Sequence, residues 1–166
     1  MISPKAQFNL KVAREYYRQH LAGNDYYSQK KSIAGEWLGE GAVRLKLVGP
    51  VAETAFLALC EGNHPETGEL LTQRRNSVRR ENGVWKVNRR VFYDWTMSPP
   101  KSVSVVALLQ DDRIIEAHSR AVRVACKELE AFAETRVRRQ GKREERVTGN
   151  IVTAGTWWPQ QPPDDT

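Results

Sequence analysis

The sequence is poor in the side chains that most often hold metals, since its 166 residues include two cysteines and three histidines. Cys60 and Cys126 lie far apart with no Cys-x-x-Cys spacing, which excludes a thiolate zinc knuckle and predicts two buried structural thiols. The histidines, His20, His64 and His118, lack the short spacing usual in histidine metal sites. The residues alone therefore predict no metal site.

Other absences narrow the class of protein further. The chain has no Gly-x-x-x-x-Gly-Lys phosphate loop and no Gly-x-Ser-x-Gly elbow, so ATP hydrolysis and serine hydrolysis have no support. No apolar run approaches the roughly 18 residues of a membrane span, and the N-terminus lacks the apolar region of a secretory signal. With 40% hydrophobic and 28% charged residues, the composition predicts one soluble cytoplasmic domain or a large part of one.

The charge is moderately basic, with 26 Lys+Arg against 20 Asp+Glu and a net charge of +6. This balance favours an anionic partner only weakly, but the basic residues form two clusters that could neutralise phosphates. A solvated surface explains either cluster equally well. The first contains Arg74, Arg75, Arg79, Arg80, Lys86, Arg89, Arg90 and Lys101, and the second contains Arg136, Arg138, Arg139, Lys142, Arg143 and Arg146.

Four helices are predicted from apolar spacing and from start and stop residues. The first begins at Asn9 and includes both Tyr16 and Tyr17, and the second spans Val51 to Glu61 and ends at Gly62. The third starts at Ser98-Pro99-Pro100-Lys101, where serine caps and proline needs no amide partner. The fourth runs from Asp112 to Arg139.

Strands are predicted on both sides of the turn residues Asn82-Gly83, which indicate a hairpin. The aromatic and β-branched stretch Arg90–Met97 predicts a central strand, and Arg146–Ala154 predicts another. From Tyr26-Tyr27 to Gly49-Pro50 the chain is polar and glycine-rich, and no helix or strand is predicted there. Because helices and strands alternate without a βαβ rhythm, the pattern predicts an α+β fold with an antiparallel sheet and flanking helices.

Two pairs of adjacent tyrosines, Tyr16-Tyr17 and Tyr26-Tyr27, are candidates for chemistry. A tyrosine attacks phosphorus usefully only when a base accepts its proton and a metal polarises the phosphoryl oxygens, because its ordinary pKa is about 10. Aromatic packing is the alternative. Asp94 lies alone in an apolar strand, where a carboxylate must be paired, hydrogen-bonded or protonated unless that position faces solvent.

Blocks in the order Tyr16-Tyr17, Asp25-Tyr26-Tyr27, Gly35–Ala42, Leu47–Val51, Asp94–Val105, Glu116–Val122 and Thr148–Val152 occur along residues 1–154. In this order they resemble the relaxase domain of the TrwC/TraI-type (MobF) conjugative relaxases. The longest block is close to the family's Asp-Leu-Thr-Phe-Ser-Ala-Pro-Lys-Ser-Val-Ser. The resemblance implies the relaxase fold of HUH-type endonucleases, incomplete at its C-terminus.

The resemblance also implies a chemistry. A relaxase nicks one DNA strand at a transfer origin and forms a 5′-phosphotyrosyl link with a free 3′-hydroxyl. Tyr16, followed by Tyr17, would be the first nucleophile, and Tyr26 or Tyr27 would serve a later strand transfer. Asp94 matches an aspartate that orients a metal-ligand histidine and helps to position or activate the nucleophile.

The partners implied are single-stranded DNA at a transfer origin and other relaxosome proteins, with a divalent cation, Mg²⁺ or Mn²⁺, held by three histidines. The arginines and lysine expected to contact DNA are Arg74, Arg75, Arg79, Arg80 and Lys101.

The end of the chain departs from the family pattern, because a first ligand histidine is expected near Trp158 and is absent. Residues 155–166 read as a divergent proline-rich tail, which predicts a truncated or frameshifted relaxase domain. We therefore expect a protein that is inactive alone, with a non-catalytic DNA-binding fragment or a degraded gene product as alternatives.

Overall fold

The computed structural model describes residues 2–22, 34–72, 77–108, 112–139 and 142–156. The chain divides into two compact units, residues 1–35 with 50–98 and residues 36–49 with 99–166, and each is described by itself. Both contain helices and antiparallel strand pairs, which confirms the predicted α+β class.

The helices and strands follow one another along the chain in a mixed order. They are β1 (Ile2–Gln7), α1 (Leu10–Tyr16), a π-helical turn (Tyr17–Leu21), β2 (Glu36–Leu38), α2 (Glu40–Arg44), α3 (Glu53–Glu61), β3 (Val78–Glu81), β4 (Val84–Val87), β5 (Phe92–Met97), α4 (Lys101–Leu108), α5 (Asp112–Ala131), β6 (Glu134–Arg139), β7 (Lys142–Val147) and β8 (Thr153–Gly155).

The first unit packs helices α1 and α3 together beside the antiparallel β1–β5 pair. Asn9 caps α1 as predicted, because its side chain accepts a hydrogen bond from the Lys11 amide at 2.8 Å. Helix α3 ends, also as predicted, at Gly62, whose φ of 88° is a left-handed conformation that favours glycine. The core residues of this unit are Ala13, Leu21, Val51, Phe56, Cys60 and Val91.

A strand is present around Asp94, but in the part of the chain that the structure describes it has a neighbouring strand on one side only. It begins at Phe92 and pairs only with β1, with Lys5 opposite Asp94. The prediction of a central strand was therefore wrong for these residues. Aromatic and β-branched residues favour an extended backbone, but they do not determine how many neighbours a strand has.

The predicted hairpin at Asn82-Gly83 is confirmed as β3–β4. Both turn residues have positive φ, 52° for Asn82 and 78° for Gly83, as the two-residue turn of a tight hairpin requires. Arg89 follows the hairpin, and its guanidinium donates a hydrogen bond to the backbone carbonyl of Cys60 in α3 at 2.8 Å. The hairpin is thereby tied to the C-terminal end of α3.

The second unit contains the β2–β8 pair and helices α2, α4 and α5. No helix or strand was predicted between Tyr27 and Gly49, but β2 and α2 lie in this stretch. A contact that the sequence pattern does not show stabilises this region. The Glu130 carboxylate of α5 accepts hydrogen bonds from the backbone amides of Glu40 at 2.7 Å and Ile151 at 2.9 Å. A carboxylate at the start of α2 stabilises the unpaired amides there.

The long helix is shorter than predicted, because α5 ends at Ala131 and residues Glu134–Arg139 form β6. Strand β6 pairs with β7, so the second basic cluster lies on a β-hairpin and not on a helix end. Thr135 and Val137 alternate with arginines, a spacing that favours an extended strand over a helix. The strand predicted over Arg146–Ala154 is divided between β7 and β8, with Gly149 at a φ of 50° between them.

The two cysteines differ in burial. Cys60 is buried as predicted, and burial raises the pKa of its thiol to about 12. Cys126 is only half-buried, so the prediction was wrong for this residue. None of the helices in the described ranges is both long and apolar enough to cross a membrane.

Candidate nucleophile site

The structure brings together two predicted site residues that are 78 positions apart in the sequence. Tyr16 is the last residue of α1, and Asp94 lies in the middle of β5. The Tyr16 hydroxyl donates a hydrogen bond to Asp94 Oδ1 at 3.0 Å. Asp94 therefore does not have the fully solvent-facing position that was the alternative for it.

The Tyr16 ring is held on several sides. Phe92 of β5 lies 5.1 Å from it between ring centroids, and Phe56 of α3 lies 6.4 Å away in a stacked arrangement. Because strand side chains alternate between faces, Phe92 and Asp94 point to the same side of β5 and meet Tyr16 together. His20 makes a third ring contact at 4.7 Å.

The pKa of the Tyr16 hydroxyl is raised well above its ordinary range. Burial is the largest cause, because it disfavours the charged phenolate, and the negative charge of Asp94 and the hydrogen bond to it act in the same direction. Tyr16 is therefore a neutral phenol at neutral pH. It can attack an electrophile only if its proton leaves during the attack, and Asp94 Oδ1 is in position to accept that proton.

Tyr17 follows Tyr16 directly but makes different contacts. Its hydroxyl donates to the backbone carbonyl of Val51 at 2.9 Å, and its ring lies 6.1 Å from Phe56. Adjacent helical residues project about 100° apart, so both rings reach Phe56 while the two hydroxyls have different partners. The structure thus gives Tyr16 a proton acceptor and gives Tyr17 a link to the start of the α3 segment.

The remaining predicted residues are not brought to this site by any contact that we describe. Tyr26, Tyr27, Arg74 and Arg75 lie outside the described residues. Arg79 and Arg80 are exposed on β3, where Arg79 lies 3.7 Å from Glu81 and Arg80 donates to the Gly83 carbonyl. Lys101 is exposed at the first residue of α4, in the second unit.

Sequence reasoning missed three neighbours of Tyr16. Phe56 and Phe92 were assigned to a helix and a strand, but nothing in the pattern predicted that these elements meet at Tyr16. His20 could have been found, because residues four apart lie on the same side of a helix.

The described residues do not fit the metal site that the family resemblance implies. Among them, no group of three or more histidine, cysteine, aspartate or glutamate side chains is close enough to hold a metal ion. His64 accepts hydrogen bonds at Nδ1 from the Glu66 and Thr67 amides, which shape its turn. His118 is half-buried on α5.

Comparisons with known proteins agree on one family. The sequence profile of the TrwC relaxase matches residues 10–156. The multifunctional conjugation protein TraI of Escherichia coli K12 is 40% identical over 140 residues, which are 80% of this chain and 7% of that protein.

Solved structures of conjugative relaxase TrwC also match. A metal-free complex with oriT DNA gives a TM-score of 0.67 at 33% identity, covering 92% of this chain and 48% of that chain. A metal-bound complex with oriT DNA gives 0.68 at 34% identity, with the same coverage. A complex with a 27-mer containing the recognition hairpin and the cleavage site gives 0.65 at 30% identity, covering 92% and 47%.

The chain thus spans about half of the TrwC chains and a small part of TraI. Its match extends over nearly all of the described residues and includes both Tyr16 and Asp94. The chain belongs to the TrwC relaxase family.

Proposed function

We propose that this chain is the nucleophile-bearing part of a conjugative relaxase, acting on single-stranded DNA at a transfer origin. The observation that carries this proposal is the 3.0 Å hydrogen bond from the Tyr16 hydroxyl to Asp94 Oδ1. It pairs a nucleophile with a proton acceptor at residues that match the family's tyrosine and aspartate. Such a pair supplies the nucleophile and the proton acceptor of tyrosine transesterification, which also uses a metal ion to polarise the phosphoryl oxygens.

The reaction proposed is an exchange of one phosphodiester bond for another. The Tyr16 oxygen attacks the phosphorus, the phenolic proton passes to Asp94, and the bond from phosphorus to the 3′-oxygen breaks. The products are a 5′-phosphotyrosyl link and a 3′-hydroxyl, which takes up one proton. Because the new ester keeps the energy of the old one, the strand can be rejoined by the reverse attack without ATP.

The two tyrosine pairs would have separate roles. Tyr16 is proposed as the first nucleophile, and Tyr26 or Tyr27 as the acceptor of a later strand transfer. Tyr17, although next to Tyr16, is proposed as a structural residue because its hydroxyl is engaged by the Val51 carbonyl.

DNA contacts are proposed for two basic hairpins. Strand β3 carries Arg79 and Arg80, and Arg74, Arg75 and Lys101 are proposed to contact phosphates as well. The β6–β7 hairpin has six residues in each strand, a length of roughly 20 Å at 3.4 Å per residue. A two-stranded ribbon of this kind fits the major groove of duplex DNA, which is about 12 Å wide, and the DNA in one solved TrwC complex contains a recognition hairpin as well as the cleavage site.

Catalysis by this chain alone is proposed to be severely impaired. A divalent cation such as Mg²⁺ or Mn²⁺ would stabilise charge on the scissile phosphate when bound, and one relative was solved in a metal-bound form. The described residues offer no ligand set for it, so charge that develops on the phosphate would not be stabilised by a cation. We place the chain in the cytoplasm with the DNA and other relaxosome proteins.

The rival function is DNA binding without chemistry, and the exposed arginines of β3 favour it. In that case the basic hairpins bind DNA, and Tyr16 is only a packed aromatic residue. A degraded gene product would do neither.

Binding to mixed-sequence single-stranded DNA should weaken steeply with salt. Four phosphate contacts would reduce affinity roughly 50-fold between 50 and 200 mM salt, because each contact contributes a slope of about −0.7 for single strands. Fluorescence anisotropy measures this. Replacing Arg79 and Arg80 with glutamine should flatten the slope, whereas Arg44→Gln, at an exposed arginine of α2 outside both clusters, should not.

Covalent chemistry is checked separately on an ordinary oligonucleotide with Mg²⁺ or Mn²⁺. We expect no adduct that survives denaturing detergent. An adduct that disappears in Tyr16→Phe would contradict the claim of impairment while supporting Tyr16 as the nucleophile. Binding that is unchanged between low and high salt would contradict the proposed DNA contacts.

A further inference from the structure

His20 lies against Tyr16, and the proposed reaction leaves it without a role. It belongs to the π-helical turn Tyr17–Leu21, in which the Ala22 amide donates to the Tyr17 carbonyl at 2.9 Å. This is the wide, five-residue hydrogen bond of a π-turn, a rare element that occurs often at functional sites. The turn directly follows the nucleophile, and the centroids of the His20 and Tyr16 rings are 4.7 Å apart at 51°.

The imidazole contacts Tyr16 from the solvent side. The other ring contacts, Phe56 and Phe92, come from α3 and β5, and Phe56 is buried while Phe92 is half-buried. His20 itself is exposed. Because these two apolar rings lie on the inner side of the phenol, His20 is the exposed one among the described ring contacts and can limit the swing of the phenol toward solvent.

We propose that His20 is a positioning residue for Tyr16, which holds the phenol in the orientation in which its hydroxyl donates to Asp94. The inference rests on the proposed function, because the orientation matters to a reaction only if Tyr16 attacks the phosphate. A phenol held near its attack geometry has already lost the rotational freedom that would otherwise oppose the reaction.

An ordinary packing contact between residues four apart would stabilise the helix slightly and leave the hydroxyl unchanged. The two roles therefore differ in what happens to the Tyr16 hydroxyl when the His20 ring is removed. Among the described residues, the titratable groups around this hydroxyl are Asp94 on β5, the exposed Lys5 paired opposite it on β1, and His20, while α3 contributes the apolar Phe56.

Removal of the His20 ring should lower the pKa of Tyr16. Burial and the Asp94 charge are what raise it, and loss of the ring both exposes the phenol and loosens its hydrogen bond to Asp94.

The test is a titration followed by NMR on protein labelled with carbon-13 in its tyrosine rings. The Tyr16 signal is assigned as the one missing in Tyr16→Phe. In the wild-type chain this signal should stay in the phenol form to about pH 11, where a phenol with the ordinary pKa of about 10 is mostly ionised. In His20→Ala the midpoint should fall by about one pH unit or more.

Two further variants separate the ring from its nitrogen atoms. His20→Phe keeps the ring and should titrate like the wild type, whereas His20→Gln keeps hydrogen-bonding groups without a ring and should titrate like His20→Ala. Thermal unfolding serves as the control, because substitution of an exposed residue should change the Tm little.

An unchanged Tyr16 midpoint in His20→Ala would overturn the proposal, and so would rescue by glutamine but not by phenylalanine. Failure of the proposed function is visible separately. If the titrations behave as expected while DNA binding and covalent capture of an oligonucleotide with an activated leaving group both fail, His20 still positions Tyr16, and it is the relaxase reaction that is refuted.

Discussion

Tyr16→Phe is expected to abolish covalent capture of DNA from a chemically activated substrate, whereas Tyr17→Phe should leave it nearly unchanged. The substrate is a mixed-sequence single-stranded oligonucleotide in which sulfur replaces the bridging 3′-oxygen, so that the leaving group departs without needing a proton. In EDTA the reaction then depends on the chain's own residues. Loss of Tyr16 should lower the capture rate at least about 100-fold, or roughly 2.7 kcal/mol in the barrier.

Tyr17→Phe is the matched control because it removes the same atom one residue further along. Its hydroxyl is bonded to the Val51 carbonyl, so its loss should cost about 1 kcal/mol of stability and little capture. Equal loss of capture in Tyr16→Phe and Tyr17→Phe would show that the reaction does not depend on the contacts of the Tyr16 hydroxyl. It would contradict the assignment of Tyr16 as the nucleophile.

Asp94→Asn extends the same prediction to the proton acceptor. At neutral pH the variant should be slower by roughly 100-fold or more, the usual cost of losing a general base. Because the Asp94 charge helps to raise the pKa of Tyr16, its removal makes the phenolate easier to form. The difference in capture rate between Asp94→Asn and the wild type should therefore become smaller as the pH rises toward about 10. A defect that stays constant across this range would argue against proton transfer to Asp94.

Gly39→Ala should destabilise the second unit severely. Gly39 precedes α2 with φ 94° and ψ 158°, a region that only glycine occupies readily. A Cβ there would lie 2.4 Å from the Ile151 carbonyl oxygen, which also accepts the Gly41 amide at 3.0 Å. Strain and the lost contact together should cost about 3–5 kcal/mol.

The matched control for this change is Gly68→Ala, at a glycine with φ 71° and no atom within 4 Å of the added Cβ. It should cost about 1–2 kcal/mol, the penalty of a left-handed conformation alone. For a chain of this size, 1 kcal/mol shifts the Tm by about 2–4 °C, so calorimetry separates the two. Equal Tm values for both variants would show that residues 39–41 are not packed against Ile151.

The sequence alone predicted the local features whose cause lies within a few residues. Asn9 caps α1 because its side chain reaches the Lys11 amide, and Gly62 ends α3 because it accepts a left-handed conformation. The Asn82-Gly83 hairpin follows from the same kind of backbone preference.

Features with a distant cause were not predictable in this way. The pattern offered both Tyr16 and Tyr17 as nucleophiles. What distinguishes them is a carboxylate 78 positions away for the first and the Val51 carbonyl for the second.

The family resemblance linked residues that local patterns had offered only as separate candidates. It matched Tyr16 and Asp94 to residues of one relaxase site, and in the structure the Tyr16 hydroxyl donates to Asp94. It also implied a histidine metal site, which the described residues do not form. What the structure adds is the hydrogen bond to Asp94 and the burial that keep Tyr16 a neutral phenol.

The central claim is that Tyr16, hydrogen-bonded to Asp94, is the residue that attacks DNA. The most direct measurement is mass spectrometry of the peptide that carries the phosphoryl group after reaction of the wild-type chain with the activated oligonucleotide. We predict that the modified residue is Tyr16. Modification of Tyr17, Tyr26, Tyr27 or Tyr93 in its place would contradict the claim.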